Sequence, residues 1–263
     1  MSERDGYQHG VPCWVDTWQP DADAAARFYA GIFGWDVRSG SPGATSTRYD
    51  ICRLGGRDVA AIGSPRPEGA GAAWTTYVWV DDAGAAAAQA TRAGGSVVVG
   101  PFDSLDGGRT AIVADPAGAV LGLWQPGTHR GAQSVNEAGA YAMSALHTPD
   151  PEGAAAFYGA LFGWTTESFG EATMFRLPGF VGGEPEQPVS REVVAVMMPA
   201  GDGEPARWDV DFWIADADAA AARATELGGA VVAGPYDTPT HRQAVLTDPT
   251  GATFTVSALK AGG

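Results

Sequence analysis

Apolar positions recur along this chain with two different periods, and the alternation of these periods predicts strands and helices in turn. The letters WVDTW place Trp14, Asp16 and Trp18 on one face of a short strand. The next segment, 20–35, opens with Asp residues that can cap a helix and then spaces its aromatic residues three and four apart. Gly34 ends this helix. Aromatic residues at this spacing are typical of a helix that buries one face in a core.

The pattern then repeats within the first half of the chain. Strand-like segments follow near 48–54 and 59–62, and after a Pro- and Gly-rich loop the order begins again. A strand at 75–80 and a capped, Ala-rich helix at 81–95 precede three more strands. Each half is therefore predicted to contain two units of strand, helix and three strands, which is a βαβββ order.

Three segments of the first half return in the second half in the same order. They are PDADAAARFYAGIFGW (20–35) with PDPEGAAAFYGALFGW (149–164), GGSVVVGPFDS (94–104) with GGAVVAGPYDT (228–238), and GRTAIVADPAGA (108–119) with HRQAVLTDPTGA (241–252). The offsets of 129, 134 and 133 residues differ only by loop-sized amounts, which predicts duplication of a whole domain. We place the first domain at 1–126, a polar, Gly-rich linker at 127–138 and the second domain at 139–263.

Charge and composition exclude several classes of partner. The net charge of −15 argues against nucleic acid, because a polyanion would be repelled. No apolar run approaches the roughly 20 residues that cross a bilayer, and the first ten residues lack the apolar centre of a secretion signal. We therefore predict a cytoplasmic protein without a membrane partner. Cys13 and Cys52 are too few for a disulfide framework and are predicted to be reduced core thiols.

The string D-x-x-x-A-x-x-F-Y-x-x-x-F-G-W, followed by GG-x-V-x-x-G-P and D-P-x-G-A, resembles the vicinal oxygen chelate superfamily. This superfamily includes glyoxalase I, bleomycin-resistance proteins, fosfomycin-resistance enzymes and extradiol dioxygenases. The resemblance covers 11–259 and is closest to bacterial tandem members. It implies an α+β fold of two tandem vicinal-oxygen-chelate-like domains, each built from two βαβββ units that form a curled mixed sheet around a cup. It also implies an internal pseudo-dimer, present as a monomer or a homodimer.

The resemblance further implies where metal ligands would stand. Family enzymes usually hold a divalent metal with His or Gln, His, and Glu from the first, fifth and last strands of the cup. Counting from the motifs puts these positions at Trp14, Thr75 and Gly122 in the first half and at Met143, Asp209 and Thr255 in the second. Only the Asp could bind a metal, and one carboxylate does not hold one. Both usual sites are therefore predicted to be missing, and we expect no cofactor.

We predict that the first cup binds a ligand, because its inward faces combine aromatic rings, one charge and the space left by a glycine. These residues are Trp14, Asp16, Trp18, Tyr77, Trp79, Gly122 and Trp124. They would suit a flat, largely apolar molecule. Asp16 would orient a polar group or act as a catalytic base with a raised pKa. Two alternatives stay open: Asp16 pairs with an Arg at the sheet edge, and the aromatic residues form ordinary core.

The second half offers a different set of polar candidates for its cup. They are His147, Asp209, Asp211, His241 and Arg242. The two histidines and two aspartates would supply N and O ligands for a displaced Zn, Mn or Fe site. In the simpler interpretation, the histidines lie at strand ends and the Asp pair faces water or the arginine. The Pro- and Gly-rich segment 178–190 is predicted to be a surface loop.

Three functions remain open at this point. The predicted function is binding of a small, partly aromatic molecule without the usual metal triad, as in drug-sequestering relatives. The alternative is a small-molecule enzyme of the lyase, isomerase or oxygenase type, with a displaced metal or with Asp16 as base. The third is a scaffold whose cups have lost their ligands. The aromatic faces favour the first function, and the breadth of the superfamily keeps the enzyme as its alternative.

Overall fold

A computed structural model of the protein describes residues 2–39, 47–104, 106–182 and 191–260. The described strands of the first half are β1 (Ser2–Glu3), β2 (Pro12–Trp18), β3 (Asp36–Ser39), β4 (Arg48–Leu54), β5 (Arg57–Ser64), β6 (Trp74–Trp79), β7 (Ser96–Ser104), β8 (Gly108–Ala114) and β9 (Val120–Pro126). Those of the second half are β10 (Ser134–Val135), β11 (Tyr141–Thr148), β12 (Thr165–Phe169), β13 (Ala172–Arg176), β14 (Val193–Pro199), β15 (Arg207–Trp213), β16 (Ala230–Asp237), β17 (His241–Thr247) and β18 (Thr253–Leu259). The described helices are α1 (Ala22–Phe33), α2 (Ala83–Arg92), α3 (Pro151–Phe162) and α4 (Ala217–Glu226). Residues 183–190 of the predicted loop 178–190 lie outside the described part of the chain.

The two halves form sheets of identical topology. The first sheet has the strand order β3-β4-β5-β2-β6-β9-β8-β7, and the second has the order β12-β13-β14-β11-β15-β18-β17-β16. In each sheet the central pair is antiparallel, and each central strand has a parallel neighbour on its outer side. Every group of four strands belongs to one βαβββ unit. The predicted α+β fold of two tandem domains is thereby confirmed.

The helices begin and end where their sequence signals predict. Asp21 accepts hydrogen bonds from the backbone N–H groups of residues 23 and 24, which caps α1. Asp150 caps α3 in the same way. Gly34 and Gly163 follow the two helices with φ of 73° and 74°, the left-handed conformation that a glycine adopts without strain.

The helices pack across the two halves as well as against the sheets of their own halves. Helix α1 contacts β5 of its own half and α4 of the other, while α2 contacts α3. The ring of Phe28 comes within 2.8 Å of the position that a Cβ atom at Gly229 would occupy. The ring of Phe157 comes within 2.6 Å of the corresponding position at Gly95. The GG motif of each half therefore makes room for an aromatic ring of the opposite half. Each hydrophobic core is built from both halves.

A buried hydrogen-bond network joins the F-Y motif of each half to the D-P-x-G motif of the other. The Tyr158 hydroxyl donates to Asp115 Oδ2 at 3.0 Å and accepts from Trp208 Nε1 at 2.9 Å. Asp115 Oδ1 accepts two backbone N–H groups of its own turn. Tyr29 and Asp248 repeat the interaction at 2.8 Å. The recurring motif residues thus hold the halves together.

Tyr158→Phe is expected to lower the free energy of unfolding by about 1–3 kcal/mol, because it leaves a buried carboxylate oxygen and a buried indole N–H without their partner. Urea denaturation of the variant and the wild type measures this loss. Tyr236→Phe is the matched control, since Tyr236 is 40% exposed and its replacement should change stability by less than about 0.5 kcal/mol. Equal, small effects at both positions would contradict a structural role for the network.

The segment predicted as a linker packs against the protein rather than crossing solvent. β10 pairs with β1, and the Tyr7 hydroxyl donates to the Ala132 carbonyl at 2.6 Å.

Both predicted core thiols, Cys13 and Cys52, are buried and free. Among the described helices, we find none that combines the length and the apolar character needed to cross a membrane.

Candidate functional site

Asp16 lies at the centre of the first cup and faces two tyrosines. The hydroxyls of Tyr49 on β4 and Tyr77 on β6 each donate to Asp16 Oδ2 at 3.0 Å. Trp14 Nε1 in turn donates to the Tyr49 hydroxyl at 2.9 Å. These three aromatic residues come from three strands of one sheet. The predicted cup residues Trp14, Asp16 and Tyr77 are therefore brought together.

The environment of Asp16 is closed. Its side chain is only 1% exposed, and no Arg, Lys or His among the described residues forms an ion pair with it. Burial raises the pKa of Asp16 to about 7, and hydrogen bonds from Tyr77, Tyr49 and Trp18 offset part of that rise. Its Oδ1 is buried without a partner of normal hydrogen-bond geometry. The alternative in which Asp16 pairs with an Arg is thus not found in the described part of the chain, and Asp16 does not face an open cup.

The aromatic residues of the first cup fill it. A Cβ at Gly122 would stand 2.1 Å from the ring of Tyr77, so the predicted space at this glycine is occupied. The Trp124 indole donates to the His129 carbonyl, and Trp18 lies over Gly63 in the same way that Tyr77 covers Gly122. The prediction of open space at Gly122 is therefore wrong, because sequence spacing does not show which neighbouring ring occupies the gap.

Trp79, a predicted wall residue of the first cup, has ring partners from two other parts of the chain. Its ring lies 6.1 Å from the ring of Tyr7 and beneath the guanidinium of Arg130, whose Cζ is 5.5 Å from the ring centroid. Both partners belong to segments outside the sheet. Trp79 therefore anchors the N-terminal segment and the packed linker to the first domain.

The second cup holds an open cavity of about 600 Å³. Its walls come from β11, β13, β14, β15 and β17 and from two rims, residues 169–172 and 236–240. Methionine and valine side chains form most of the inner wall, with Trp213 on one side; these apolar residues are Met143, Met174, Val196 and Met198. A second cavity, of about 50 Å³, lies between the halves and is too small for a drug-sized molecule.

Strand register explains why one cup is open and the other is filled. In the first half, Tyr77 lies between Trp14 on one neighbouring strand and Gly122 on the other. In the second half, Asp211 lies between Met143 and Thr255. A flexible thioether and a short carboxylate replace an indole and a phenol ring, so the second cup keeps the volume that rings occupy in the first.

The same register corrects two predicted metal-ligand positions. Gly122 pairs with Tyr77 rather than with Thr75, and Thr255 pairs with Asp211 rather than with Asp209. Counting residues missed the true neighbour by two positions on β6 and β15, because the spacing of motifs along the chain does not show which residues pair between strands. Of the six registered positions, only Asp211 carries a carboxyl group, and none carries the His, Gln or Glu of the usual triad. The donor set therefore does not fit the usual triad.

Asp211 is the carboxylate of the cavity floor. The Ser257 hydroxyl lies 2.8 Å from Asp211 Oδ1 and 2.7 Å from Oδ2, and Gln243 Nε2 donates to that hydroxyl at 2.9 Å. Enclosure in the cup raises the pKa of Asp211 to about 7, and hydrogen bonds from Ser257 and from the backbone of Phe212 offset part of the rise. A carboxyl group with this pKa is present in both protonation states near neutral pH.

The other polar candidates of the second half lie in three separate places. His147 and Arg207 both approach Asp209 Oδ2, at 3.3 and 3.1 Å, away from the cavity lining. Arg242 pairs with Asp218 on the outside of the domain.

His241 lines the cavity, and its Nδ1 is 2.7 Å from the Thr240 hydroxyl oxygen. Burial lowers the pKa of this imidazole. Within residues 2–39, 47–104, 106–182 and 191–260, no three His, Cys, Asp or Glu side chains are placed to share a metal ion. The four donors of the predicted displaced site therefore do not converge.

Several lining residues escaped the sequence prediction. Met174, Val196 and Met198 face the cavity, and the rim adds Phe169 and Tyr236. Alternation along β13 and β14 is the signal that could have identified the inner-wall residues, since every second residue of a strand shares a face. The rim residues carry no such signal, because they lie near the ends of the edge strands β12 and β16, which are mostly exposed on both faces.

Known proteins share this arrangement of sequence and fold. Residues 14–123 match the family described as Glyoxalase/Bleomycin resistance protein/Dioxygenase superfamily, and residues 143–257 match the family described as Glyoxalase-like domain. The protein CFP32 of Mycobacterium bovis, provisionally named a glyoxylase, is 39% identical over 260 residues, which cover 97% of each chain. The anthracycline biosynthesis protein DnrV of Streptomyces peucetius is 37% identical, with 96% of this chain and 94% of DnrV covered.

Solved structures show the same fold at low identity. The Mn(II)-bound glyoxalase from Novosphingobium aromaticivorans has a TM-score of 0.64 at 15% identity, with 96% of this chain and 83% of that chain covered. The 2,3-dioxygenase LapB from Pseudomonas sp. KL28 has a TM-score of 0.63 at 12% identity, with 97% and 94% covered. The chain therefore belongs to the glyoxalase/bleomycin resistance/dioxygenase superfamily, also called the vicinal oxygen chelate superfamily, as a member with two tandem domains.

Proposed function

We propose that this protein binds a small, largely apolar and partly aromatic molecule in the second cup, without the usual metal triad. The observation that carries the proposal is the cavity of about 600 Å³. Pockets for small molecules commonly measure about 300–1,000 Å³ and combine apolar walls with a few polar groups that fix orientation. Met143, Val196 and Trp213 supply such walls, and Asp211 supplies the polar group.

The side chains around the cavity favour a flat ring system. Trp213 on the wall and Tyr236 on the rim offer ring faces, and methionine side chains adapt to planar ligands without a fixed shape of their own. The similarity to DnrV, a protein named for anthracycline biosynthesis, points in the same direction, because anthracyclines are fused-ring aromatic compounds. We therefore place the ligand among fused-ring aromatic molecules.

A second candidate function is a metal-independent enzyme that uses Asp211 as a general acid or base. The pKa of about 7 favours this role, since proton transfer is most efficient when the pKa of the group lies near the working pH. Asp211 replaces Asp16 in this role because Asp16 does not reach open space. Conversion of a bound fused-ring compound by the wild type, lost in Asp211→Asn, would establish the enzyme; binding without conversion favours the binding protein.

Val196→Trp is expected to weaken binding of a fluorescent fused-ring probe, such as an anthracene, by at least tenfold, because the indole would occupy the cavity. Fluorescence anisotropy of the probe, titrated with protein, measures the change. Val97→Trp is the matched control: Val97 is 39% exposed on the edge strand β7, outside both cups. We expect binding by this control to equal that of the wild type.

The first cup and the metal are tested in the same assay. Gly122→Trp addresses the filled cup and should leave probe affinity unchanged in protein that remains folded, and addition of EDTA should also have no effect. Loss of binding in a folded Gly122→Trp variant, together with unchanged binding in Val196→Trp, would contradict the choice of cup. Loss of binding on chelation would contradict the metal-free proposal.

A further inference from the structure

The charges around the second cavity have one sign. Among the described residues, its lining includes the carboxyl side chains Glu171, Asp211 and Asp237 and neither Lys nor Arg. The remaining ionisable base is His241, and because burial lowers its pKa this imidazole is uncharged at neutral pH. The whole protein carries a net charge of −15, so its field adds to the local one.

Asp211 differs from Asp237 because no Lys, Arg or His among the described residues forms an ion pair with it. Asp237 is at the rim, where Arg242 approaches to 3.3 Å and Lys260 to 3.7 Å. Among the described side chains, only the hydroxyl of Ser257 donates a hydrogen bond to Asp211. Arg242 follows directly after the cavity residue His241, but its guanidinium points outward to Asp218.

We propose that the ligand of the second cup is a cation, an aromatic molecule whose protonated amine pairs with Asp211. This inference rests on the proposed binding function and narrows its ligand class. An ammonium group placed at Asp211 would supply the opposite charge that this enclosed carboxylate lacks, and charge-assisted hydrogen bonds are stronger than neutral ones. An anionic ligand would meet a carboxylate without any basic residue to offset it.

The aromatic residues of the cavity suit the same ligand class. Trp213 lies on β15 two residues after Asp211 and shares its strand face, so the indole and the carboxylate border one space. Tyr236 adds a second ring at the rim. Indole and phenol faces attract cations through their ring electrons, and they pack equally well against an aromatic framework. A ring system with an amine substituent therefore matches both the walls and the floor.

The test uses three probes that share one ring system and carry a positive, a neutral and a negative substituent: 9-(aminomethyl)anthracene, 9-anthracenemethanol and 9-anthracenecarboxylate. Their affinities are measured by anthracene fluorescence anisotropy with the wild-type protein. We expect the amine to bind at least tenfold more tightly than the alcohol, and the carboxylate to bind least tightly. Asp211→Asn should remove the preference for the amine while it leaves affinity for the alcohol within about threefold.

Asp209→Asn is the matched control, since it changes net charge equally on the same strand but outside the cavity lining. It should keep the preference for the amine. If no probe binds the wild type, the proposed function fails. If the alcohol or carboxylate binds as tightly as the amine, the cation inference fails while the binding function stands. Equal loss of all three probes in Asp211→Asn, or an equal loss of preference in Asp209→Asn, would also overturn the inference.

Discussion

Phe157→Ala and Phe28→Ala are each expected to lower the free energy of unfolding by about 3–5 kcal/mol. Phe157 is 1% exposed and Phe28 is 2% exposed, although both lie on helices at the outer side of a sheet. Each ring packs against a glycine of the opposite half, Gly95 and Gly229. Removal of either ring leaves a cavity between the halves. Because backbone atoms form part of its wall, small side-chain movements cannot refill it.

Urea denaturation followed by tryptophan fluorescence measures these two losses. Because each ring contacts both halves, we expect a single transition to shift as a whole, without separate unfolding of one domain. Phe169→Ala is the control, since Phe169 is 54% exposed on β12 and its loss should cost less than about 1 kcal/mol. A loss below about 1 kcal/mol at both Phe28 and Phe157 would mean that the halves do not share their cores.

Asp16→Asn is expected to stabilise the protein more at about pH 8 than at about pH 5, with a difference of about 1–3 kcal/mol. In the folded protein the pKa of Asp16 is raised from 3.8 to about 7, chiefly by burial. The folded chain therefore keeps a proton on Asp16 that the unfolded chain has released. Between about pH 4 and pH 7 the unfolded state binds fewer protons, so a rise in pH favours unfolding.

The neutral amide removes this linkage and keeps an oxygen that can accept from Tyr49 and Tyr77. Free energies of unfolding at several pH values, for variant and wild type, give the difference directly, and contributions from other groups such as Asp211 cancel in it. Asp202→Asn, at an exposed turn, serves as the control and should show no pH-dependent difference. An equal effect of Asp16→Asn at both pH values would contradict a buried, protonated Asp16.

Much of the fold could be predicted from local sequence signals. The Asp caps, the glycines after α1 and α3 and the alternation in WVDTW each act within a few residues, so they predict element boundaries to within a few positions. The repeated motifs add long-range information, because one domain copied twice must fold twice in the same way. The hydrogen bond from Tyr158 to Asp115 gives a physical reason for two of these motifs, although neither motif alone indicates its partner.

The candidate site was predicted less well than the fold, and the errors concern the space at Gly122 and the register at Asp211. Sequence spacing predicted Trp14, Asp16 and Tyr77 around one cup, yet it could not show that Tyr77 covers Gly122 and closes the space. In the second half, residue counting predicted Asp209 where the strand pairing places Asp211 beside Met143 and Thr255, because sequence spacing does not show the register between strands. Volume and register depend on neighbouring strands that are far apart in sequence.

The order of elements, the duplication and the family can therefore be predicted from the sequence alone, because each depends on periodicity or on motifs that act locally. Which cup is open was decided only by the tertiary structure. Two cups with the same strand order differ because an indole and a phenol ring at Trp14 and Tyr77 occupy the volume that Met143 and Asp211 leave empty. Free space is a property of all the side chains that surround it, and these meet only when the sheet has formed.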